Sequence, residues 1–406
     1  MENQFANRIS TLGAPASHSV IAKVRDLRAT GLDIIDFGQQ GATPTIAMDA
    51  AAKMMQSAAG SSYTDTRGLP SLRQAIADKL IKENGITADP STEIVVTLGA
   101  KEAIFASMLA LVGPGDEVLI EDPAYVGFEP LIRLAGGVPV TIPMKAENGF
   151  RLPIENLESY MTPKTRLLLL CNPHNPGGHC HSAGDLAAIA EIAICADIYV
   201  LVDEAYEHFV YDGGKHTSLA SLPGMFNRTI TVQTVSKIYN MAGWRVGWAA
   251  AAAPLMAKIA LVHAHAVTCP TSFAQAGAEA VIREGIGEGD LPIAKIVERY
   301  TAQRDAMVSG LSAIPGVTCA TPSGAFFVFP NLATFGLSSI EICEYLLQTA
   351  HVSAIPGSAF GQEGEGYIRL VFKTDVGVIN QGVARLAEAL SKIKPNTVTS
   401  GSGNTR

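Results

Sequence analysis

Thr234-Val-Ser-Lys237-Ile-Tyr-Asn-Met-Ala-Gly-Trp-Arg245-Val-Gly-Trp248 places a lysine among small hydroxyl residues and, eight residues on, an arginine in a Gly-Trp-Arg-Val-Gly frame. The lysine closes a β-branched run, Thr229–Val235. A lysine that forms a Schiff base needs a small, dry pocket that favours its neutral amine. A phosphate beside it needs hydroxyls and a planar, permanently charged guanidinium. One short segment meets both needs.

Working outward, apolar runs alternate with helical patterns. Glu93–Thr97, Glu117–Glu121, Thr165–Leu170, Ile198–Val202 and Thr229–Val235 are rich in Val, Ile and Leu, and their pattern predicts strands buried on both faces. Helical patterns lie between them at Gly99–Leu111 and Ser182–Ala196. Such alternation predicts an α/β fold with a mostly parallel sheet, whose ligands bind outside the carboxyl ends of the strands. The strands run into Gly99-Ala100-Lys101, Asp122-Pro-Ala-Tyr125, Asn172–Gly178, Asp203–Tyr206 and Ser236-Lys237. The polar segments therefore converge on one edge of one sheet.

After Gly289 the pattern changes. Helices are expected at Leu291–Leu311, Ser339–Thr349 and Ile379–Ile393, with strands at Phe326–Phe329 and Tyr367–Phe372. This describes a smaller α+β unit. Lys394–Arg406 is polar and Gly/Ser-rich, as expected of a frayed tail.

A chain of 406 residues exceeds one compact core and suggests two domains. Its net charge of −8, with no basic block, argues against nucleic acid and anionic membranes as partners. Met1–Ser10 has no apolar core flanked by basic residues, so no secretory leader is expected. The most apolar stretch, Val246–Val267, is interrupted by Pro254, Lys258, His263 and His265 and is not expected to span a membrane. Six cysteines without a C-x-x-C pair read as reduced thiols of a cytoplasmic protein. Cys171, His174, His179, Cys180 and His181 crowd together, but no second Cys/His pair lies at finger or ribbon spacing, so no metal site is expected.

Individual residues carry more. Asp203 follows a fully apolar strand, where an acid needs a cationic partner or serves as a helix N-cap. Gly99-Ala100-Lys101 follows a strand and opens a helix, whose first amides suit a phosphate. Gly285-Ile-Gly287-Glu-Gly289 lacks the preceding strand of a dinucleotide loop.

Together these segments resemble the fold-type I pyridoxal-phosphate-dependent aminotransferases of class I/II, over roughly Asp36 to Leu390. The stretch Asp203-Glu-Ala-Tyr-Glu-His208 through Gly243-Trp-Arg-Val-Gly247 is most similar to kynurenine- and methionine-type members. The resemblance implies a three-layer αβα large domain with a mixed, mostly parallel sheet, at 49–289. Residues 1–48 and 290–393 would then form the small domain, and 394–406 a tail. It implies pyridoxal 5'-phosphate, bound covalently by Lys237, which also moves the substrate proton. Asp203 would hold the ring nitrogen, and Tyr206 and Asn175 the ring hydroxyl. Tyr125 would stack on the ring. Gly99, Ala100, Lys101, Arg245 and either Thr234 or Ser236 would bind the phosphate. Tyr63, in a Tyr-x-x-x-x-Gly68 segment, would reach the phosphate of the neighbouring subunit, implying a homodimer. Arg369, in Tyr-Ile-Arg-Leu-Val-Phe372, would grip the substrate α-carboxylate, with Asn175 and Gly38 beside it.

The implied reaction moves the amino group of an L-amino acid to a 2-oxo acid. Two departures leave a β/γ-elimination, replacement or cyclisation enzyme as the alternative. His174 and Gly177, where members usually have Thr at the latter, also occur in related carbon–sulfur lyases. Asp36-Phe-Gly-Gln-Gln-Gly-Ala-Thr-Pro44 also differs from the family pattern. Val267–Phe273 has no arginine or lysine, so a dedicated aspartate/glutamate enzyme is not expected.

Overall fold

The computed structural model describes residues 6–10, 12–13, 16–38, 41–286 and 293–393. The expected tail, Lys394–Arg406, and the loop at Gly287–Gly289 lie outside them.

Seven strands form the large sheet: β1 (Ile94–Thr97), β2 (Glu117–Asp122), β3 (Val138–Pro143), β4 (Thr165–Cys171), β5 (Tyr199–Asp203), β6 (Thr229–Thr234) and β7 (Gly247–Ala250). Their order is β1-β7-β6-β5-β4-β2-β3. β3, β2, β4, β5 and β6 pair in parallel, while β7 runs antiparallel to both its neighbours. The central strands are buried on both faces, and alternate side chains enter different cores. Val118, Ile120, Leu167, Leu169 and Leu201 point one way; Leu119, Leu168, Leu170, Val200 and Val202 point the other. This is the period-2 alternation of a sheet covered on each side.

The expected strands shift by a residue or so at their ends. Two further strands carry little sequence signal. β3 contains Pro139 and Pro143, which a sheet tolerates at its edge, where β3 lies. β7 is only Gly-Trp-Ala-Ala. Gly247 is required there by close approach: a Cβ would lie 2.6 Å from the Ala100 nitrogen and 2.9 Å from the Gln233 carbonyl.

The helices obey the same local rules. Ala183–Cys195 and Ser339–Thr349 each begin with a reciprocal capping box, Ser182 with Asp185 and Ser338 with Glu341. The last helix runs Val376–Leu390, three residues earlier than its apolar pattern suggests, because its start follows Asp375 rather than the first buried side chain. The long helix Ile293–Ser312 packs against it.

A second sheet holds β8 (Phe327–Val328), β9 (Ile355–Pro356) and β10 (Ile368–Val371), with β10 central and antiparallel to both neighbours. The N-terminal segment joins this region through bridges from Ile35 to Val352 and from Gly38 to Lys373. No helix among the described residues is long and apolar enough to cross a membrane.

Candidate active site

The carboxyl ends of β1, β2, β4, β5 and β6 meet at one edge of the large sheet. Because β7 is antiparallel, its start lies at this edge too, with Gly247 opposite both Thr234 and Thr97. Arg245 therefore arrives beside Gly99 by topology. A cavity of about 250 Å³ opens there, lined by Ala100, Lys101, Tyr125, Asn175, Asp203, Tyr206, Thr234, Ser236, Lys237 and Arg245, together with Ile104, Ala205 and Ala242.

Lys237 follows β6 and is half-buried. Its Nζ lies 5.4 Å from the centre of the Tyr206 ring and 6.0 Å from that of Phe326. Burial lowers the amine's pKa, and Arg369 and Arg245 act in the same direction, against the pull of Asp203.

Asp203 ends β5 and is buried. Burial pushes its carboxyl up to about 6, against the opposing effects of the Ala205 N–H and Lys237. That N–H donates to Oδ1 at 3.1 Å. The neighbouring Glu204 does not line the cavity; it accepts from Ser218 at 2.8 Å and Gln233 at 3.0 Å.

The opposite wall is a hydrogen-bonded chain. The Arg369 Nη1 donates to Asn175 Oδ1 at 2.9 Å, and Asn175 Nδ2 donates to the Tyr206 hydroxyl at 3.4 Å. Arg369 lies over the rings of Phe327 and Phe360, at 4.5 and 4.9 Å. It has no carboxylate partner among the described residues, and its Nε is buried without an acceptor. Burial lowers the guanidinium to about 10, which leaves it charged at neutral pH.

The last corner is built for an anion. Gly99, at φ 82°, precedes the helix Ala100–Leu111. A Cβ on Gly99 would lie 2.6 Å from Arg245 Nη2, so glycine opens this corner both conformationally and sterically. The first amides of the helix have no intrahelical acceptor, and the helix dipole favours negative charge there. Arg245 adopts a left-handed conformation at φ 57° and donates to the Ala242 and Leu98 carbonyls at 2.9 and 3.0 Å. The Thr234 hydroxyl donates to the Val246 carbonyl at 2.7 Å and accepts the Ser236 N–H at 3.1 Å. The two hydroxyl oxygens are 2.7 Å apart.

Four expected residues are not among those lining this cavity: Gly99 and Arg369, which adjoin it through Arg245 and Asn175, and Gly38 and Tyr63. Gly38 lines an adjoining cavity of about 440 Å³ with Arg369, Val24, Ile355 and Val371. Tyr63 is on the surface, 87% exposed.

The model of aminotransferase class I and II matches residues 33–386. The chain belongs to the class I and II aminotransferases. It is 40% identical to the aspartate aminotransferase of Pyrococcus abyssi, over 82% of this chain and 85% of that one. It is 39% identical to aromatic-amino-acid aminotransferase 2 of Thermococcus litoralis, over the same shares. The solved aspartate aminotransferase of Rhizobium meliloti superposes with a TM-score of 0.89 at 34% identity, covering 96% of this chain and 100% of that one.

Aminotransferases of this class use pyridoxal 5'-phosphate and act on amino acids and 2-oxo acids. The residues present suit that cofactor. A recessed lysine, a buried carboxylate with no cation bonded to it among the described residues, and a glycine-lined corner with an arginine at a helix N-terminus match its aldehyde, ring nitrogen and phosphate. Sequence reasoning did not find Phe327 and Phe360 as the bed of Arg369, nor Lys373. Burial takes Lys373 down to about 8, with Lys237 and Arg299 adding to the shift. Phe326–Phe329 signals a buried strand, and nothing in that signal identifies the cation it supports.

Proposed function

We propose that this aminotransferase takes the amino group from an L-amino acid with an apolar or aromatic side chain. Arg369 holds the α-carboxylate. The observation that carries this reading is the unpaired Arg369 guanidinium, linked through Asn175 to the cavity that Lys237 lines. A planar fork suits a carboxylate bidentately.

In this reading Lys237 is the covalent anchor of the cofactor and, once freed, the base that moves the proton from the substrate Cα. When bound, the cofactor acts as an electron sink for the carbanion that forms at that carbon. Asp203 holds the ring nitrogen, and Asn175 and Tyr206 donate to the ring hydroxyl. Tyr125 covers the ring face. Arg245, Gly99, Ala100 and Lys101 hold the phosphate. Ser236 joins them rather than Thr234, whose hydroxyl hydrogen is engaged by Val246.

The substrate side chain extends past Gly38 toward Val24, Ile355 and Val371. The arginines on that side are already paired, Arg28 with Asp36 at 3.1 Å and Arg25 with Asp26 at 2.9 Å. This supports an apolar side chain over a second carboxylate, although several relatives are named for aspartate.

The same reading makes the enzyme a cytoplasmic homodimer with shared sites, Tyr63 reaching the partner's phosphate. The exposure of Tyr63, Met48 and Met55 in a single chain supports a covered face there. It also divides the chain into a large domain at 49–289 and a small one at 1–48 and 290–393, supported by the bridges from Ile35 and Gly38.

The test is a panel of L-amino acids mixed with enzyme in the absence of acceptor. One equivalent of 2-oxo acid per site, fastest with apolar and aromatic donors, is expected. Preference for aspartate would overturn the substrate assignment. Repeated release of ammonia and an unsaturated product would overturn transamination itself.

A further inference from the structure

Behind the cavity, β2 and the loop after β4 bring together three side chains that the cofactor site does not use. Glu121 is 1% exposed, His179 8% and His181 6%. One ligand atom from each lies within 4.8 Å of the others. The Cys171 N–H donates to Glu121 Oε2 at 3.1 Å, while Oε1 has no hydrogen-bond partner among the described residues. Neither do His181 Nε2 or the two ring nitrogens of His179. Buried polar atoms are ordinarily satisfied, so four orphans in one cluster require an explanation.

The spacing supplies one. His181 Nε2 lies 3.3 Å from Glu121 Oε1 without the alignment of a hydrogen bond. Ligand bonds of about 2.0–2.1 Å in a tetrahedral zinc site put neighbouring ligand atoms roughly 3.3 Å apart. His174 is not part of the set. Its Nε2 donates to the Pro123 carbonyl at 3.0 Å and its Nδ1 accepts the Gly177 N–H at 3.1 Å. Its ring instead stacks on His179, centroids 4.4 Å apart, and steadies that ligand.

We propose that Glu121, His179 and His181 bind one divalent transition-metal cation, with zinc the best match. Two imidazoles and one carboxylate suit zinc and its neighbours, and not calcium or magnesium, which take oxygen ligands. The effect of the metal would be positional, because it would tie β2 to the loop that carries Asn175, and Asn175 bridges Arg369 and Tyr206. The proposal stands whether or not the cofactor roles above are correct.

The test uses the full-length holoenzyme, stripped with a chelator and titrated with Co²⁺ and Zn²⁺. One Co²⁺ per chain with intense tetrahedral d–d bands is expected, displaced by Zn²⁺. Zinc should also raise the Tm of the stripped protein. Glu121→Gln, which keeps size and hydrogen-bonding capacity, should weaken Co²⁺ binding at least tenfold. The double variant His179→Asn/His181→Asn should abolish the bands. Wild-type protein that shows no d–d bands and no zinc-dependent Tm would overturn the proposal, with no reliance on a variant folding. So would unchanged Co²⁺ binding in either variant.

Discussion

At the scale of single residues, the site rests on charges that have no ion-pair partner among the described residues. Arg369 is held from one side by Asn175 and from beneath by two phenylalanine rings, and it pairs with no acid among the described residues. Arg369→Lys keeps the charge and loses the planar fork and the stacking. Losing one hydrogen bond to a charged group costs about 1.5–3 kcal/mol, so KM for the amino acid should rise by roughly 10-fold or more. Steady-state kinetics on the variant checks this; an unchanged KM would remove Arg369 from the carboxylate site. Asp203 gives a pH prediction. Its carboxyl, pushed up to about 6, is charged above that value and neutral below it. Cofactor affinity of the apoenzyme should therefore fall as pH drops through about 6. Asp203→Asn should lack this component while keeping any step that belongs to the cofactor's own phosphate. Lys237, Asp203, Asn175 and Arg369 could be singled out in the sequence because each stands in a short motif. The Arg369–Asn175 bond could not, since 194 residues separate the pair.

At the scale of elements, the turn from β1 into its helix and the buried network beneath β5 make separate predictions. Gly99→Ala would force a left-handed alanine and drive its Cβ toward Arg245. Phosphate affinity should fall, and stability by about 1–3 kcal/mol; cofactor release during dialysis reads the first and thermal unfolding the second. Glu207, buried near the end of β5, pairs with Lys79 at 2.7 Å and accepts from Asn84 at 2.6 Å. Burial alone would raise its carboxyl, but Lys79, His208 and His216 outweigh burial and take it down to about 2. A carboxylate lowered in the folded state contributes stability that is full above its ordinary value of 4.5. That contribution is lost as pH falls toward about 2. Glu207→Gln should flatten this acid limb and destabilise the protein near neutral pH by about 3 kcal/mol, the low end for a broken buried pair, because Glu83 stays 3.1 Å from Lys79. Denaturant unfolding across pH measures both. β1, β2, β4, β5 and β6 were legible as apolar runs. β3 and β7 were not, because proline at an edge and Gly/Ala at a close approach carry no β signal.

At the scale of the whole molecule, one chain brings most of the expected groups to one sheet edge, with Gly38 in the adjoining cavity and Tyr63 on the surface. Its exposed ring is what a shared site requires of a single subunit. Mixing the inactive variants Lys237→Ala and Tyr63→Ala should therefore restore activity. One of the two sites in a mixed dimer would combine native Lys237 with native Tyr63. No recovery on subunit exchange would argue that each subunit works alone. The sheet order itself was out of reach of the sequence, since a reversed β7 between β1 and β6 is a choice of topology. Yet that reversal brings Arg245 to the edge where Lys237 emerges. The crowding of His179 and His181 was legible, but their relation to Glu121 was not, because Glu121 comes from a different strand 50 residues before Cys171.

Lys237 is the proposed covalent anchor of pyridoxal phosphate. Borohydride reduction of the purified enzyme, followed by peptide mass mapping, tests this most directly. A pyridoxyl group on Lys237 alone is the predicted result; the same group on Lys101 or Lys373, or on no lysine, would contradict it.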